Sequence, residues 1–167
     1  SSVHAVLLDG TTLYVGTDSG VVTVAVADLE DESAWTTIAA VGAVGVTALA
    51  LEGELLYVGT ADGLGVVDLT EEDYSTIAGT SGMTYALVAD EAGVVYAASD
   101  LGLRAYVDGV EVERIAWETP VYAVAAVDGE VYYGTGDGLV RRLDGAVLHA
   151  GWAVMALASD GEALWVG

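Results

Sequence analysis

One short sequence pattern occurs five times along this chain of 167 residues. Each copy contains a tetrapeptide of the Val-x-Ala-Val type, then an acidic turn, then an aromatic residue that begins a tripeptide ending in glycine or alanine. The aromatic residues, which lie 33 to 43 residues apart, are Tyr14, Tyr57, Tyr96, Tyr132 and Trp165. Short β-type runs that recur at about 35–45 residues are typical of propeller blades. The spacing therefore predicts small β-sheets repeated around an axis.

Each repeat is interpreted as four short antiparallel strands. The strands predicted for the second repeat are 46–51, 55–60, 64–69 and 74–78. Its Asp62-Gly63 turn provides the positive φ that a tight hairpin needs. The first two strands are apolar on both faces, so they must be covered on both sides, as stacked blades would do.

We predict an all-β fold, a β-propeller of four-stranded antiparallel blades that is nearly free of helix. The chain is expected to form a single domain, 1–167. The predicted repeats cover about 3–45, 46–83, 84–120 and 121–151, with a two-strand half-repeat at 152–167.

The half-repeat leaves the blade count incomplete. It predicts either a five-sector ring that holds a half-blade or a ring completed by swapping, and it suggests a fragment or an engineered protein. Because 152–167 keeps the apolar pattern of 46–57, we expect it to be ordered, with Ala156 and Trp165 packed against a neighbouring blade. An unpaired strand edge there would favour self-association.

The charge balance excludes several partners. The chain has 26 acidic residues, four arginines and no lysine, for a net charge of −22, so it would repel nucleic acid. This composition is typical of salt-in halophiles, which favours the cytoplasm of such an organism; a secreted protein whose leader has been removed is the alternative. No apolar run approaches the roughly 18 residues that span a membrane. The absence of cysteine excludes disulfides and thiolate chemistry.

The segment 56–64, Leu-Tyr-Val-Gly-Thr-Ala-Asp-Gly-Leu, carries a resemblance to known repeats. It resembles short-repeat β-propellers of the two-component-regulator type, which contain Leu-Trp-Val-Gly-Thr and Gly-Leu phrases. The chain is also similar to uncharacterised haloarchaeal propellers. The resemblance extends over essentially the whole chain and implies sensing or protein interaction. A fainter likeness to quinoprotein repeats lacks their closing Gly-Lys-x-x-Trp phrase, so no quinone cofactor is implied.

Two sets of residues are candidate sites. The second residue of each first strand varies, and in a propeller this strand lines the central channel. These candidates for ligand binding at the channel mouth are His4, Thr47, Tyr85, Tyr122 and Met155. The alternative is that they simply fill the channel.

The turns after the second strands contain one aspartate in each complete repeat. A ring of carboxylates on one propeller face could bind cations weakly, because hard cations prefer oxygen ligands. The members of this candidate cation ring are Asp18, Asp62, Asp100 and Asp137. The alternative is a structural role, because hairpin turns favour aspartate for backbone reasons.

No catalytic constellation is apparent. Two histidines, no cysteine and no Ser-His-Asp arrangement predict a protein that is not an enzyme and needs no cofactor or tightly bound metal. The predicted function is a non-enzymatic propeller module that binds a protein partner or assembles with itself. The alternative is a small-ligand sensor at the channel mouth that uses His4, Tyr85 and Tyr122.

Overall fold

The computed structural model describes residues 2–167, which form 18 β-strands in five antiparallel sheets. The first sheet contains β1 (Val3–Asp9), β2 (Thr12–Thr17), β3 (Gly20–Ala25) and β4 (Thr36–Thr37). The second contains β5 (Val46–Glu52), β6 (Leu55–Thr60), β7 (Gly63–Asp68) and β8 (Asp73–Thr76). The third contains β9 (Thr84–Ala89), β10 (Val95–Ser99), β11 (Gly102–Val107) and β12 (Val110–Ile115).

The fourth sheet contains β13 (Val121–Val127), β14 (Glu130–Thr135), β15 (Gly138–Arg141) and β16 (Val147–Ala150). The fifth has only β17 (Leu157–Ser159) and β18 (Leu164–Val166). In every sheet the strands pair in chain order as a meander. We call the four-stranded sheets blades 1 to 4 and residues 152–167 the half-blade. The predicted four-stranded antiparallel blades are confirmed, and in the second repeat the strand bounds agree to within two residues.

Helix is confined to three single-turn 3₁₀ segments within the described chain, Val26–Asp28, Glu32–Ala34 and Ala39–Val41. All three belong to the first repeat, in which β4 is shortened to two residues. The Asp31 carboxylate accepts a hydrogen bond from the Ser33 N–H at 2.9 Å and so caps the second segment. No helical segment within residues 2–167 has the length and hydropathy required to cross a bilayer.

The hydrophobic core lies between adjacent blades. Strands β1, β5, β9, β13 and β17 follow one another, and each packs against the next. The contact repeats at three of the four junctions, where Val46, Thr84 and Val154 lie on Gly16, Gly59 and Gly134 in the second strand of the preceding blade. A Cβ added at Gly16 would lie 2.5 Å from Cγ1 of Val46, and a Cβ at Gly134 would lie 2.7 Å from Cγ1 of Val154. Glycine permits this close approach in blades 1, 2 and 4, whereas Ala98 occupies the equivalent position in blade 3 and belongs to the same apolar cluster as Val121.

The blades form an open arc within residues 2–167, because β1 at one end does not pack against the half-blade at the other. The expectation that Ala156 and Trp165 pack against a neighbouring blade is wrong, since both side chains are exposed. They face the side of the half-blade on which no further described blade lies. Val154 instead anchors the half-blade, where it is buried against blade 4.

Candidate functional site

The two candidate sets form contacts with each other within a blade. In blade 1, Nε2 of His4 lies 2.5 Å from Oδ1 of Asp18. In blade 3, the hydroxyl of Tyr85 donates a hydrogen bond to Oδ1 of Asp100, also at 2.5 Å. The variable residue of the inner strand and the aspartate of the following turn therefore form one structural unit in these blades.

The backbone preceding the inner strand completes each unit. The Ser2 N–H donates to Oδ2 of Asp18 at 2.9 Å, and the Met83 N–H donates to Oδ2 of Asp100 at 3.0 Å. Each aspartate thus accepts one side-chain and one backbone hydrogen bond, which ties the turn to the start of the inner strand. Because both carboxylates are exposed, these contacts leave part of each group open to solvent.

Blades 2 and 4 do not form this unit. Thr47 donates its hydroxyl to the Thr84 carbonyl of the next blade at 2.6 Å instead of to a turn aspartate. In blade 4, Pro120 precedes the inner strand and has no N–H to donate to Asp137. The Met155 side chain is exposed on the half-blade. The structure therefore joins two of the four candidate aspartates, Asp18 and Asp100, to candidate ligand-binding residues, His4 and Tyr85.

The turn sequence explains the difference between the two kinds of blade. In blades 1 and 3 the aspartate directly follows the residue that opens the turn, Thr17 or Ser99, whereas in blades 2 and 4 it comes one residue later. The opening hydroxyl always accepts from the N–H two residues on, at 3.1–3.3 Å. A shift of one residue on this fixed turn redirects the carboxylate, and this offset is visible in the sequence.

Tyr85 also contacts Tyr122 of the next blade. Their ring centroids are 5.3 Å apart at an interplanar angle of 62°, an edge-to-face arrangement that stabilises aromatic pairs. Tyr85, Asp100 and Tyr122 therefore form a cluster across blades 3 and 4, which we call the tyrosine cluster. No hydrogen bond or ring contact within residues 2–167 joins His4 to either tyrosine.

The hydrogen bond within the tyrosine cluster shifts both groups. Asp100 raises the pKa of Tyr85 to about 12, chiefly by accepting its hydroxyl hydrogen and then by burial. The same bond, followed by the Met83 N–H, lowers the pKa of Asp100. The His4 contact lowers the pKa of Asp18 in the same way. Both aspartates are therefore anions at neutral pH, and Tyr85 remains a hydrogen-bond donor.

The chemistry available at these positions is recognition by hydrogen bonding and charge. The tyrosine cluster combines an aromatic edge, a carboxylate and two hydroxyls, groups that suit a small polar or cationic ligand. Across the described 166 residues, no three His, Asp or Glu side chains lie close enough together to hold a metal ion. The aspartate ring is distributed one residue to a blade.

An apolar depression at the half-blade was not anticipated from the sequence. It has a volume of about 350 Å³ and is lined by His149, Trp152, Ala153, Val154, Val166 and Gly167. Strand β18 forms one wall and has no partner on its outer edge within the described sheets. The available signal was that the half-repeat contains only two strands within residues 2–167, whereas in every other blade a third strand pairs with the second. We call this site the Trp152 depression.

A buried arginine was also missed. Arg104 donates to the Gly79 carbonyl at 2.6 Å and lies 3.3 Å from the carboxylate of Glu111. Its guanidinium lies 5.3 Å from the ring centre of Trp117, on which Arg114 also stacks. These contacts pair the buried charge through Nη1 between blades 2 and 3, whereas the buried Nε has no hydrogen-bond partner among the described residues.

Solved structures with the same fold share little sequence with this chain. The extracellular domain of a hybrid two-component system from B. thetaiotaomicron is 20% identical, with a TM-score of 0.76, and the match covers 99% of this chain and 25% of that one. The WD40 β-propeller domain of Doa1 is 19% identical, with a TM-score of 0.71, over 98% of this chain and 61% of that one. The computationally designed Ika8 protein is 18% identical, with a TM-score of 0.71, over 100% and 55%.

These similarities establish the class of the protein: the chain has the fold of a β-propeller built from short repeats. It spans about a quarter to three fifths of the length of these structures. No protein-family model matches the sequence, and no curated protein matches it significantly.

Proposed function

We propose that this chain is a non-enzymatic β-propeller module of a halophile that binds a protein partner at the Trp152 depression. The observation that carries the proposal is the exposure of large apolar side chains around β18. Trp152 is 76% exposed, and Val166, which lines the same depression, is 47% exposed. Exposed apolar patches on soluble proteins are typical of interaction sites.

The geometry favours an extended segment of the partner. Within residues 2–167 no strand pairs with the outer edge of β18, and a strand added there can form backbone hydrogen bonds while its side chains enter adjacent pockets. Trp152, Val154 and Val166 form such an apolar pocket next to the edge.

Peptide selection tests this proposal directly. The immobilised protein would be presented with a random-peptide display library in about 2 M KCl, where its charges are screened. We expect the selection to yield apolar peptides that bind the wild-type protein. The affinity of these peptides for the Trp152→Ser variant should be at least about tenfold lower, because aromatic anchors dominate such interfaces. Leu143→Ser removes an equally exposed apolar side chain elsewhere and is the matched control. Selected peptides that bind Trp152→Ser as well as the wild type would contradict the proposal.

A second candidate function is small-ligand sensing at the channel mouth. The tyrosine cluster favours it, because Tyr85 and Tyr122 meet beside the Asp100 carboxylate. The channel candidates His4, Thr47 and Met155 and the weak-cation ring belong to the same hypothesis. A metabolite screen by thermal shift in about 2 M KCl would identify a ligand that stabilises the wild type and not Tyr122→Leu. A ligand that stabilises both proteins equally would contradict binding at this cluster.

A further inference from the structure

A groove on blade 2 takes no part in either candidate function. It has a volume of about 690 Å³, which lies within the range of small-molecule sites. Its walls come from the connection that enters blade 2, from the turn between β6 and β7, and from β8 with the connection that follows it. Blades 1 and 3 pack against blade 2 on its two sides. We call this site the blade 2 groove.

Blade 2 differs from the other blades at the third residue of its third strand. This residue is Gly65 in blade 2, whereas it is Val22, Arg104 and Val140 in blades 1, 3 and 4. The Tyr74 ring of β8 occupies the space that a side chain would need, because a Cβ added at Gly65 would lie 2.5 Å from Cζ of Tyr74. Glycine therefore lets the tyrosine lie across the third strand, where it lines the groove.

One wall of the groove is fixed by hydrogen bonds within blade 2 and from blade 3. The Thr80 hydroxyl donates to the Ile77 carbonyl at 2.6 Å and accepts from the Leu64 N–H at 3.1 Å. Arg104, which is 3% exposed, donates from Nη1 to the Gly79 carbonyl at 2.6 Å. The buried arginine of blade 3 thus holds this wall in place. Fixed walls favour binding, because little conformational freedom remains to be lost when a ligand enters.

Apolar side chains provide part of the lining. Leu64 is buried, and Val44 and Ile77 are half-buried. Three alanines add further apolar surface. These side chains suit the hydrocarbon part of a ligand, because binding there removes apolar area from water.

The polar lining combines one carboxylate with neutral hydroxyl groups. Among the described residues that line the groove, Asp62 alone has an ionised side chain. No hydrogen bond within residues 2–167 engages its carboxylate, in contrast to the turn aspartates of blades 1 and 3. Burial raises the pKa of Tyr74, so its hydroxyl is uncharged at neutral pH, and Ser81 contributes a second hydroxyl. An anion beside oxygen acceptors suits a ligand that carries a positive charge and N–H donors.

We infer that the blade 2 groove binds a small organic ammonium ion, whose nitrogen pairs with the Asp62 carboxylate and whose hydrocarbon part packs on Leu64 and Ile77. The chain has no lysine, and its four arginines form ion pairs with carboxylates outside the groove, so a ligand must supply the cation. The inference goes beyond the proposed function, because the groove shares no residue with the Trp152 depression or the tyrosine cluster.

NMR titration of the ¹⁵N-labelled protein in about 2 M KCl tests the inference. The probes are cyclohexylamine, 2-phenylethylamine and tryptamine, each compared with the neutral alcohol of similar shape, which is cyclohexanol, 2-phenylethanol or tryptophol. We expect at least one amine to cause saturable shifts confined to amides of the blade 2 groove. The matching alcohol should bind at least about fivefold more weakly, because it lacks the charge-assisted hydrogen bond to Asp62.

Two pairs of variants locate the binding site. Asp62→Asn removes the charge and keeps the size of the side chain, and Asp137→Asn is the matched control at the same turn position of blade 4. Gly45→Phe adds a ring to the groove at a position where an added Cβ meets nothing within 4 Å, and Gly136→Phe makes the same change at an open position in blade 4. We expect Asp62→Asn and Gly45→Phe each to weaken amine binding at least about fivefold and both controls to bind as the wild type does.

Three outcomes would overturn the inference. The first is an equal affinity of the amines for the wild type and for Asp62→Asn, provided that the amide spectrum of the variant shows a retained fold. The second is a set of shifts spread over carboxylates of the other blades, which would indicate unspecific attraction to a chain with a net charge of −22. The third is the absence of saturable binding by all three amines. None of these outcomes affects peptide binding at Trp152.

Discussion

The position of one aspartate within a four-residue turn separates the blades into two kinds. Where the aspartate directly follows the opening Thr or Ser, as at Asp18 and Asp100, its carboxylate binds the channel residue and the backbone before the inner strand. Where it comes one residue later, as at Asp62, these contacts are not formed. The contacts of the first kind lower the pKa of the aspartate, because a carboxylate that accepts hydrogen bonds is stabilised in its charged form.

The tyrosine cluster allows this effect to be measured. We expect Tyr85→Phe to raise the pKa of Asp100 towards the ordinary carboxyl value of about 4, because its main hydrogen-bond donor is removed. Carboxyl-carbon NMR titration of the folded protein measures the shift. Tyr122→Phe keeps the ring pair and is the matched control, which should leave the pKa of Asp100 unchanged.

The sign of the pH dependence follows from the lowered pKa of Asp100. Its contribution to folding stability is present above the unfolded carboxyl pKa and is lost as pH falls through the lowered folded value. Tyr85→Phe should therefore flatten the acid limb of the stability curve. An Asp100 titration identical in wild type and Tyr85→Phe would show that the hydroxyl contact does not form in solution.

The half-blade depends on one close contact with blade 4. Val154 is buried on Gly134, where a Cβ would lie 2.5 Å from the Val154 carbonyl oxygen, and the Val154 N–H donates to the Thr135 carbonyl at 3.0 Å. Trp165 contributes little to this anchoring, because its side chain faces away from blade 4. The half-blade is thus attached through Val154, and the outer edge of β18 has no partner strand within residues 2–167.

Gly134→Ala tests this attachment. The added methyl group collides with backbone that cannot rotate away, so we expect a loss of about 1–3 kcal/mol in stability. Hydrogen exchange should accelerate in β17 and β18 and stay unchanged in blades 1 and 2. Gly136→Ala, at a nearby position with open space, is the control. Unchanged exchange in β17 and β18 with Gly134→Ala would contradict the proposed anchoring.

The excess of negative charge over the whole molecule lowers its folding stability. All four arginines form ion pairs, in which Glu111 serves both Arg104 and Arg114 and the other partners are Glu113 and Asp144. No other carboxylate forms an ion pair with an arginine within the described chain. The mutual repulsion of the carboxylates destabilises the compact state more than the unfolded one, because folding brings them closer together.

Added salt should therefore stabilise the fold. We expect the melting temperature to rise steeply between dilute buffer and about 2 M KCl, as the screening length falls from about 10 Å at 0.1 M to about 3 Å at 1 M. Circular dichroism melts across a KCl series measure this change, and sorbitol of equal osmolality is the control for solvent exclusion. A melting temperature that is constant over the series would contradict the halophile proposal.

The repeat pattern was sufficient to predict the blades, because each strand pairs with its neighbour in sequence and each hairpin is specified by local turn residues such as Asp62-Gly63. The same local pairing explains why the strand bounds of the second repeat were predicted so closely. The charge of −22 and the absence of lysine and cysteine are likewise read from composition alone.

The tertiary structure decided which side chains meet between blades. The pairing register shifts directly after the first residue of β1, β5 and β13, so this residue does not follow the alternation of side chains in the rest of its strand. Only the packing of blade 2 on blade 1 shows that Val46 lies on Gly16. The blades pack on one another through contacts such as those of β1 with β5 and of β5 with β9, which join residues distant in sequence, so no local pattern encodes them.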